Sequence, residues 1–442
     1  MAHYFFIGVA GTGMSAIAQY MKAAGHDVSG SDRQFIRGQF NETQDALMAQ
    51  GISCYPQGAG GLTTDIDYVI VSTAIEDSVP EVQLARQLGK PILRRSELLA
   101  QLVSSKKTIA VGGTSGKSTT AAMIYEILRA AGYQPSVIGG AGLTRLIREG
   151  KIGNAAYGEG EWLVIEADES DGSIVNYHPE IGLLLNVDKD HQDIEALMQL
   201  FGFFANHSLH FITNTSHPLS ASLSKGSPYD IHLPDDFMQQ GVVVHFSVDD
   251  VRFSIQSPGR HTMENAMAAI SVARSIGISL QQCAEALQQY EGIYRRHQIL
   301  GERNGVVVVD DYAHNPVKCA RSIEACQPFS KKLIAWFQPH GYGPTRFLRH
   351  DFVEEIAKAL RPQDEIWMSE IYYAGGTAVK DISSEDLVND LNMRGANAFF
   401  VANRNQLVDA LRPHLEPGTT LLLMGARDPS LDAFAKEVYQ AL

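Results

Sequence analysis

The sequence predicts an α/β protein of three domains, on three observations. Short apolar runs alternate with helical spacing in a strand–helix–strand rhythm, which argues for parallel sheets with helices on both faces. Glycine-rich or polar segments stand where the apolar runs end. With 442 residues and 45% hydrophobic content, the chain exceeds one domain of about 100–200 residues and can fill several cores.

From the N-terminus, residues 4–9 read as a strand, 14–24 as a helix and 27–30 as a second strand. A strand at 67–72, a helix at 80–88 and a short apolar run at 91–93 follow. The polar stretch Ser104-Ser105-Lys106-Lys107 is expected to be a linker. Beyond it, 108–111 reads as a strand and 118–131 as a helix, with strands at 162–165 and 181–186. Residues 213–240, rich in Ser, Pro, His and Asp, are expected to be irregular. Segments 242–246 and 251–255 suggest an antiparallel pair, and 265–276 and 280–290 suggest helices. After Gly292 the character changes: strands at 306–309, 331–337, 365–368 and 420–424 accompany helices at 352–360 and 430–441. These breaks place domains at 1–105, 106–293 and 294–442.

Composition excludes several classes. The balance of 36 Lys+Arg against 50 Asp+Glu, a formal charge of −14, argues against sequence-independent nucleic-acid binding, which relies on a basic surface. Cys54, Cys283, Cys319 and Cys326 form no C-x-x-C pair and are expected to be reduced thiols. The N-terminus lacks the pattern of a signal peptide, and no apolar run approaches the roughly 18 residues of a membrane span. The expectation is a cytoplasmic protein, monomer or homodimer, whose partners are small molecules rather than nucleic acid or membrane.

The strongest motif is Ile109-Ala-Val-Gly-Gly-Thr-Ser-Gly-Lys117-Ser118-Thr-Thr, an apolar strand running through a glycine turn into a helix. Glycines let backbone N–H groups approach phosphates, Lys117 neutralises charge, and the Ser118 hydroxyl can bind Mg²⁺. The helix start adds its positive end. Only three residues separate Gly112 from Gly116, one fewer than the common loop has. Next come Glu166-Ala-Asp168-Glu169-Ser-Asp171 and Asn186-Val-Asp188-Lys-Asp190-His191, each directly after an apolar strand. Carboxylates packed there repel one another and invite a cation such as Mg²⁺, with His191 beside them. A solvated acidic loop is the plainer alternative. Gly8-Val-Ala-Gly11-Thr-Gly13 opens a helix with the wrong spacing for the dinucleotide fingerprint but suits a diphosphate; Asp32 stands where ribose-binding acids occur. Three further segments, 258–265, 294–297 and 310–316, place polar residues at helix starts or strand ends. Each reads either as a cap or turn or as part of a nucleotide site.

This ordered series, continued by Val71-Ser-Thr-Ala-Ile75, Arg94-Arg-Ser-Glu97, Arg295-Arg296 and Phe337-Gln-Pro-His340, resembles the Mur ligases of peptidoglycan synthesis, in particular the branch that adds L-alanine to UDP-N-acetylmuramate. The resemblance implies a Rossmann-like N-terminal domain, a P-loop ATPase-like central domain and a Rossmann-like C-terminal domain. It implies ATP and Mg²⁺ as cofactors, and an amide bond made through an acyl phosphate. Around the UDP-sugar it places Gly11, Thr12, Gly13, Met14, Ser15, Asp32, Ser72, Thr73 and Ala74. Gly113, Thr114, Ser115, Gly116, Lys117, Ser118 and Thr119 would hold ATP together with Asn265, Arg296 and Asp311. The metal would fall to Ser118, Glu166 and His191, and the reaction centre to Lys117, His191, His314 and His340. Arg346 would meet the amino acid. The chain departs from the pattern at Ser115, Thr262, His297 and Asn315, and above all at Gly341 and Pro344, where the pattern has arginines. Glycine and proline offer a carboxylate no planar fork. A ligase of the same mechanism for another amino acid or a peptide, of recycling or polyglutamate/cyanophycin type, is the alternative, followed by a non-catalytic nucleotide-binding paralogue.

Overall fold

The computed structural model describes residues 1–58, 60–170, 172–188, 193–230, 234, 236–373 and 379–442. They form two compact units. One comprises Met1–Asp235, Ser247–Phe253 and Met263–Ile293; the other comprises Asp236–Phe246, Ser254–Thr262 and Tyr294–Leu442.

The first unit holds two sheets. Strands β1 (His3–Ile7), β2 (Asp27–Asp32), β3 (Ser53–Pro56), β4 (Tyr68–Val71) and β5 (Ile92–Arg94) lie in the order β3-β2-β1-β4-β5, all parallel. Gly30 belongs on β2 for a steric reason: a Cβ there would sit 2.7 Å from Phe6 O and from Val9 Cβ. Strands β6 (Lys107–Gly112), β7 (Ser136–Ile138), β8 (Ala155–Ala156), β9 (Trp162–Glu166), β10 (Ile181–Leu184), β11 (His210–Asn214) and β12 (Ser227–Tyr229) form the second sheet. Its order is β12-β11-β10-β6-β9-β7-β8, with β8 antiparallel to β7 and the other pairs parallel.

The linker expected at 104–107 is not one. The helix Arg95–Ser105 continues to Ser105 and β6 begins at Lys107. Both serine hydroxyls bond back to helix carbonyls, Ser104 Oγ to Ala100 O and Ser105 Oγ to Leu102 O, so polarity there serves a helix end. The two sheets share one apolar core, in which Phe6, Ile17, Leu98 and Val103 join Ala110, Ile165, Phe201 and Phe204. Buried at this joint, Asn154 Nδ2 donates to Thr12 O (2.8 Å) and Ser15 Oγ (3.0 Å), while Gln19 Nε2 donates to Asn154 Oδ1 (2.7 Å).

Residues 213–240 also carry more order than expected: the end of β11, a short helix Pro218–Ala221, β12, and β13 (Met238–Gln240). Among the described residues strand β12 is an edge strand that pairs with β11 alone, which is where Pro228 can sit without breaking a ladder. Strands β13, β14 (Val243–Val248) and β15 (Val251–Ile255) make a three-stranded sheet.

In the second unit, β16 (Gln298–Arg303), β17 (Val306–Asp311), β18 (Lys332–Gln338), β19 (Glu365–Met368), β20 (Asn397–Phe400) and β21 (Thr419–Gly425) lie in the order β16-β17-β21-β18-β19-β20. Only β16 is antiparallel to its neighbour. Two apolar clusters pack this sheet, one around Phe337 and Ile356, the other around Trp336 and Phe434.

Candidate functional site

The phosphate loop leaves β6, an inner strand of the seven-stranded sheet, and enters the helix Lys117–Ala130. Gly116 caps that helix at φ +86°, and a Cβ there would lie 2.4 Å from Asn265 Oδ1, so glycine is demanded twice. Among the described residues no side chain caps the helix, which leaves its first-turn amides to an anion. Asn186, at the end of the adjacent β10, clamps the loop. Its Oδ1 accepts from Thr114 Oγ1 and Ser115 N, both at 2.9 Å, and its Nδ2 donates to Ser115 O at 3.1 Å. Asn265 Oδ1 accepts from Thr120 Oγ1 at 3.3 Å, which places it against the loop rather than beyond it.

Beside the loop stand the carboxylates that end β9. Ser118 Oγ donates to Glu166 Oε2 at 2.9 Å, and Glu166 Oε1 accepts from Gly140 N at 2.6 Å. Glu169 answers the repulsion expected in this cluster from within the protein. Both its oxygens accept from Lys117 Nζ, at 3.0 and 2.8 Å, while the same ammonium donates to Gly113 O at 2.6 Å. Burial pushes the Glu169 carboxyl up, and the Lys117 charge opposes that shift. Asp168 accepts from Ser170 N. His191, the third expected metal ligand, and Asp171 lie outside the described residues. Among the described residues no three His, Cys, Asp or Glu side chains converge as a metal-holding group. Ser118 and Glu166 remain as a pair of hard oxygen donors suited to Mg²⁺.

The N-terminal sheet gathers a second group at its carboxyl edge. Gly8 N and Val9 N donate to Ser31 O, and Ala10 N donates to Asp32 Oδ2 at 2.9 Å. Asp32 Oδ1 takes Gln34 N at 3.0 Å, so this buried carboxylate braces the glycine turn with both oxygens. Gly11 and Thr12 are exposed at the helix start and Gly13 is half-buried, whereas Met14 and Ser15 are buried and face the core. Ser72, Thr73 and Ala74 follow β4, whose Val71 pairs with Ile7 of β1, so they share the edge with the glycine turn. A cavity of about 540 Å³ opens past the ends of β2 and β3, lined among others by Arg33, Phe35, Arg37, Gln57 and Pro80. The sequence reading missed these residues; the pair of arginines just beyond Asp32 was the available signal.

In the second unit the site residues stand at the ends of β17, β21 and β18. Asp311 is buried; burial pushes its carboxyl up, but His297, Arg296, the Ser322 hydrogen bond and His261 together outweigh burial and hold it low. Ser322 Oγ donates to Asp311 and lies 3.0 Å from His297 Nε2, and the His297 ring lies 5.0 Å from that of His261. Burial, with the His297 charge next, pushes His261 down to about 3. Arg296 lies over the Tyr312 ring at 5.1 Å. His314 Nδ1 is 2.8 Å from Tyr312 O, an acceptor only, so Nδ1 carries the proton and Nε2 is left bare. Burial, with Lys318 second, pushes His314 down to about 3. His340 lies 5.8 Å away ring to ring; burial and then the Arg427 charge lower it, and its buried Nδ1 has no partner among the described residues. Arg346 is bound to Asp381 and to Val379 O.

A parallel sheet with an uncapped glycine loop, an inward lysine and a serine–carboxylate pair beside it defines a phosphate-loop nucleotide-binding protein with two further α/β sheets. Comparison with known proteins narrows this. Family models match along the chain: Mur ligase family, catalytic domain, at residues 3–107; Mur ligase middle domain at 111–273; and Mur ligase, glutamate ligase domain, at 295–427. The UDP-N-acetylmuramate–L-alanine ligase of Carboxydothermus hydrogenoformans is 33% identical over 95% of this chain and 93% of its own length. That of Synechococcus sp. is 34% identical over 96% and 93%. The crystal structure of UDP-N-acetylmuramate-alanine ligase MurC from Thermotoga maritima shares the fold, with TM-score 0.82 at 24% identity over 100% of this chain and 99% of its own. The chain belongs to the Mur ligase family and is an ATP-dependent ligase. Among the described residues no helix is long and apolar enough to cross a membrane.

Proposed function

We propose that this enzyme joins L-alanine to the carboxylate of UDP-N-acetylmuramate, with ATP and Mg²⁺, in peptidoglycan precursor synthesis in the cytoplasm. The observation that carries the reading is the similarity to L-alanine ligases over 95% of the chain together with an assembled phosphate loop. In this reading 1–105 bind the UDP-sugar, 106–293 bind ATP and 294–442 receive the amino acid.

The uridine diphosphate lies along Gly11–Gly13 and the cavity beyond Asp32, where Arg33 and Arg37 supply positive charge. The ATP phosphates take the free amides at the start of Lys117–Ala130. Lys117 exchanges Glu169 for the phosphates and stabilises charge as the γ-phosphoryl moves to the sugar carboxylate, making it an acyl phosphate. Ser118 and Glu166 would hold Mg²⁺, which when bound would neutralise phosphate charge. The neutral His314, with Nε2 bare, can accept a proton from the incoming amine as it attacks.

Phosphate release with UDP-N-acetylmuramate and each amino acid in turn tests this. Release that needs both the UDP-sugar and L-alanine is expected. Release with another amino acid or a peptide would keep the mechanism and reassign the substrate, a reading that Gly341 and Pro344 favour. Folded, ATP-binding protein that releases no phosphate with any pair would sink the proposal.

A further inference from the structure

Just past β18, where an incoming carboxylate would need a cation, Gly341 and Pro344 supply none, and the Arg346 guanidinium is already taken by Asp381 and Val379 O. A cation stands just past the end of the neighbouring strand instead. β21 and β18 pair in parallel with Gly425 opposite Gln338, so Arg427 and His340 each lie two residues beyond aligned strand ends. On the other side β17 pairs with β21, Asp311 opposite Met424, and His314 follows three residues on. Arg427 therefore sits just past the end of the middle strand of three, with His314 and His340 past the ends of the outer two, at the carboxyl edge where open parallel sheets bind ligands.

Its backbone is unusual. Arg427 adopts φ +66°, in the left-handed region that favours glycine. Such a conformation persists only where the surroundings over-determine it, and it gathers at functional sites. Here the surroundings are plain. The buried Asp428 accepts from Arg404 Nη1 and from Ser430 N and Oγ, and its own N donates to Ala426 O at 2.8 Å. Arg404 also donates to Gln338 Oε1 at 2.9 Å, and Arg295 Nη2 donates to Gly425 O at 3.0 Å. All of these ties but the one from Arg404 to Gln338 fall on residues 425–430, around Arg427. Among the described residues the exposed guanidinium itself makes no hydrogen bond or ion pair, yet its charge reaches His340.

The geometry points to Arg427 as the residue that binds the α-carboxylate of the amine substrate. A planar, permanently charged fork can grip a carboxylate with two parallel N–H bonds. A backbone held rigid on both sides presents it with less to lose on binding. This assignment rests on the ligase reading above.

The test is phosphate release by the full chain with UDP-N-acetylmuramate, ATP and Mg²⁺, comparing L-alanine with L-alaninamide, which keeps the nucleophile but lacks the carboxylate. Arg427→Gly is the informative variant, because glycine accepts φ +66° and so preserves folding. Wild type should prefer L-alanine by about 10–100-fold in kcat/KM, the range of a hydrogen-bonded charge. Arg427→Gly should lose about that factor with L-alanine and little with the amide, so the preference collapses while KM for ATP and for the UDP-sugar holds. Arg427→Lys should recover part of it. A preference kept intact in Arg427→Gly, or an effect that falls on KM for ATP, would overturn the assignment and leave the ligase reading standing. Absence of release by wild type with any amine would overturn both.

Discussion

At the phosphate loop the groups that meet an anion are backbone amides, aimed by Gly116 at φ +86° and braced by Asn186, with a single lysine adding charge. At the ends of β17, β18 and β21 they are side chains: two imidazoles held neutral by burial and a guanidinium on a strained turn. The contrast concerns what a substitution can change. Away from positions such as Gly116 that demand glycine, amides of a turn keep their direction whatever side chains they carry, so a change such as Ser115 should leave the loop's amides in place. A pocket made of side chains is remade by each exchange, and Gly341 and Pro344 fall in that region. On the proposed reading, the chemistry common to the family would reside in the first place and its choice of amine in the second.

The largest break in this contrast is Lys117→Ala. Removing the one side-chain cation of the loop should lower kcat by about 10³-fold while thermal unfolding shows the fold intact. A variant retaining a tenth of wild-type turnover would show that the amides alone carry the phosphoryl step. Asn186→Ala comes next. It deletes both bonds that Oδ1 accepts from Thr114 and Ser115 and the one that Nδ2 donates. A loop loosened by about an ångström should cost on the order of 10²-fold in kcat/KM for ATP, with KM for the amino acid unmoved. Equal loss for both substrates would mean that Asn186 supports the unit as a whole.

The sequence showed the loop far better than the strand ends for the same reason. A glycine turn between a strand and a helix is a local pattern, and 109–120 folded as read. Asn186 and Glu169 were visible as polar residues after strands, but their partners in the loop are about 70 and 50 residues away, a pairing that only the sheet order brings about. Arg427 was silent, since nothing in Gly-Ala-Arg-Asp announces a left-handed arginine. The strand at 227–229 was hidden because an edge strand beside Pro228 needs no alternating apolar pattern. The helix Arg95–Ser105 is absent from the sequence expectation, and its end passes there for a linker, because serines that bond back to helix carbonyls look, in one dimension, like a linker.

Acid sharpens the contrast thermodynamically. His261 and His314 are pushed from near 6.5 to about 3, chiefly by burial. In the unfolded chain both regain their ordinary affinity for protons. Between about pH 6.5 and 3 the unfolded state binds more protons, so stability must fall as pH falls through that window, by up to about 1.4 kcal/mol per pH unit for each histidine. Both belong to the second unit. Hydrogen exchange at pH 5 against pH 7.5 should therefore show β17 and β18 losing protection before β6 and β10. His314→Gln should flatten the slope. Uniform loss across both units would place the acid sensitivity elsewhere.

The smallest effect tests the joint inside the first unit. Asn154 reaches from the seven-stranded sheet to Thr12 O and Ser15 Oγ at the start of the first long helix, and takes Gln19 in return. Asn154→Ala leaves Gln19 and Ser15 buried with fewer partners and should cost about 1–3 kcal/mol, the penalty of unsatisfied buried polar groups. The apolar core that the two sheets share remains, so unfolding should stay one cooperative transition at a lower midpoint. Splitting into two transitions would mean that the buried amide couples the sheets and the shared core does not. The same variant should leave KM for ATP unchanged and raise KM for the UDP-sugar a few-fold, because Thr12 belongs to the glycine turn that Asn154 steadies from below. If both KM values hold, the turn draws its shape from Asp32 and Ser31 alone.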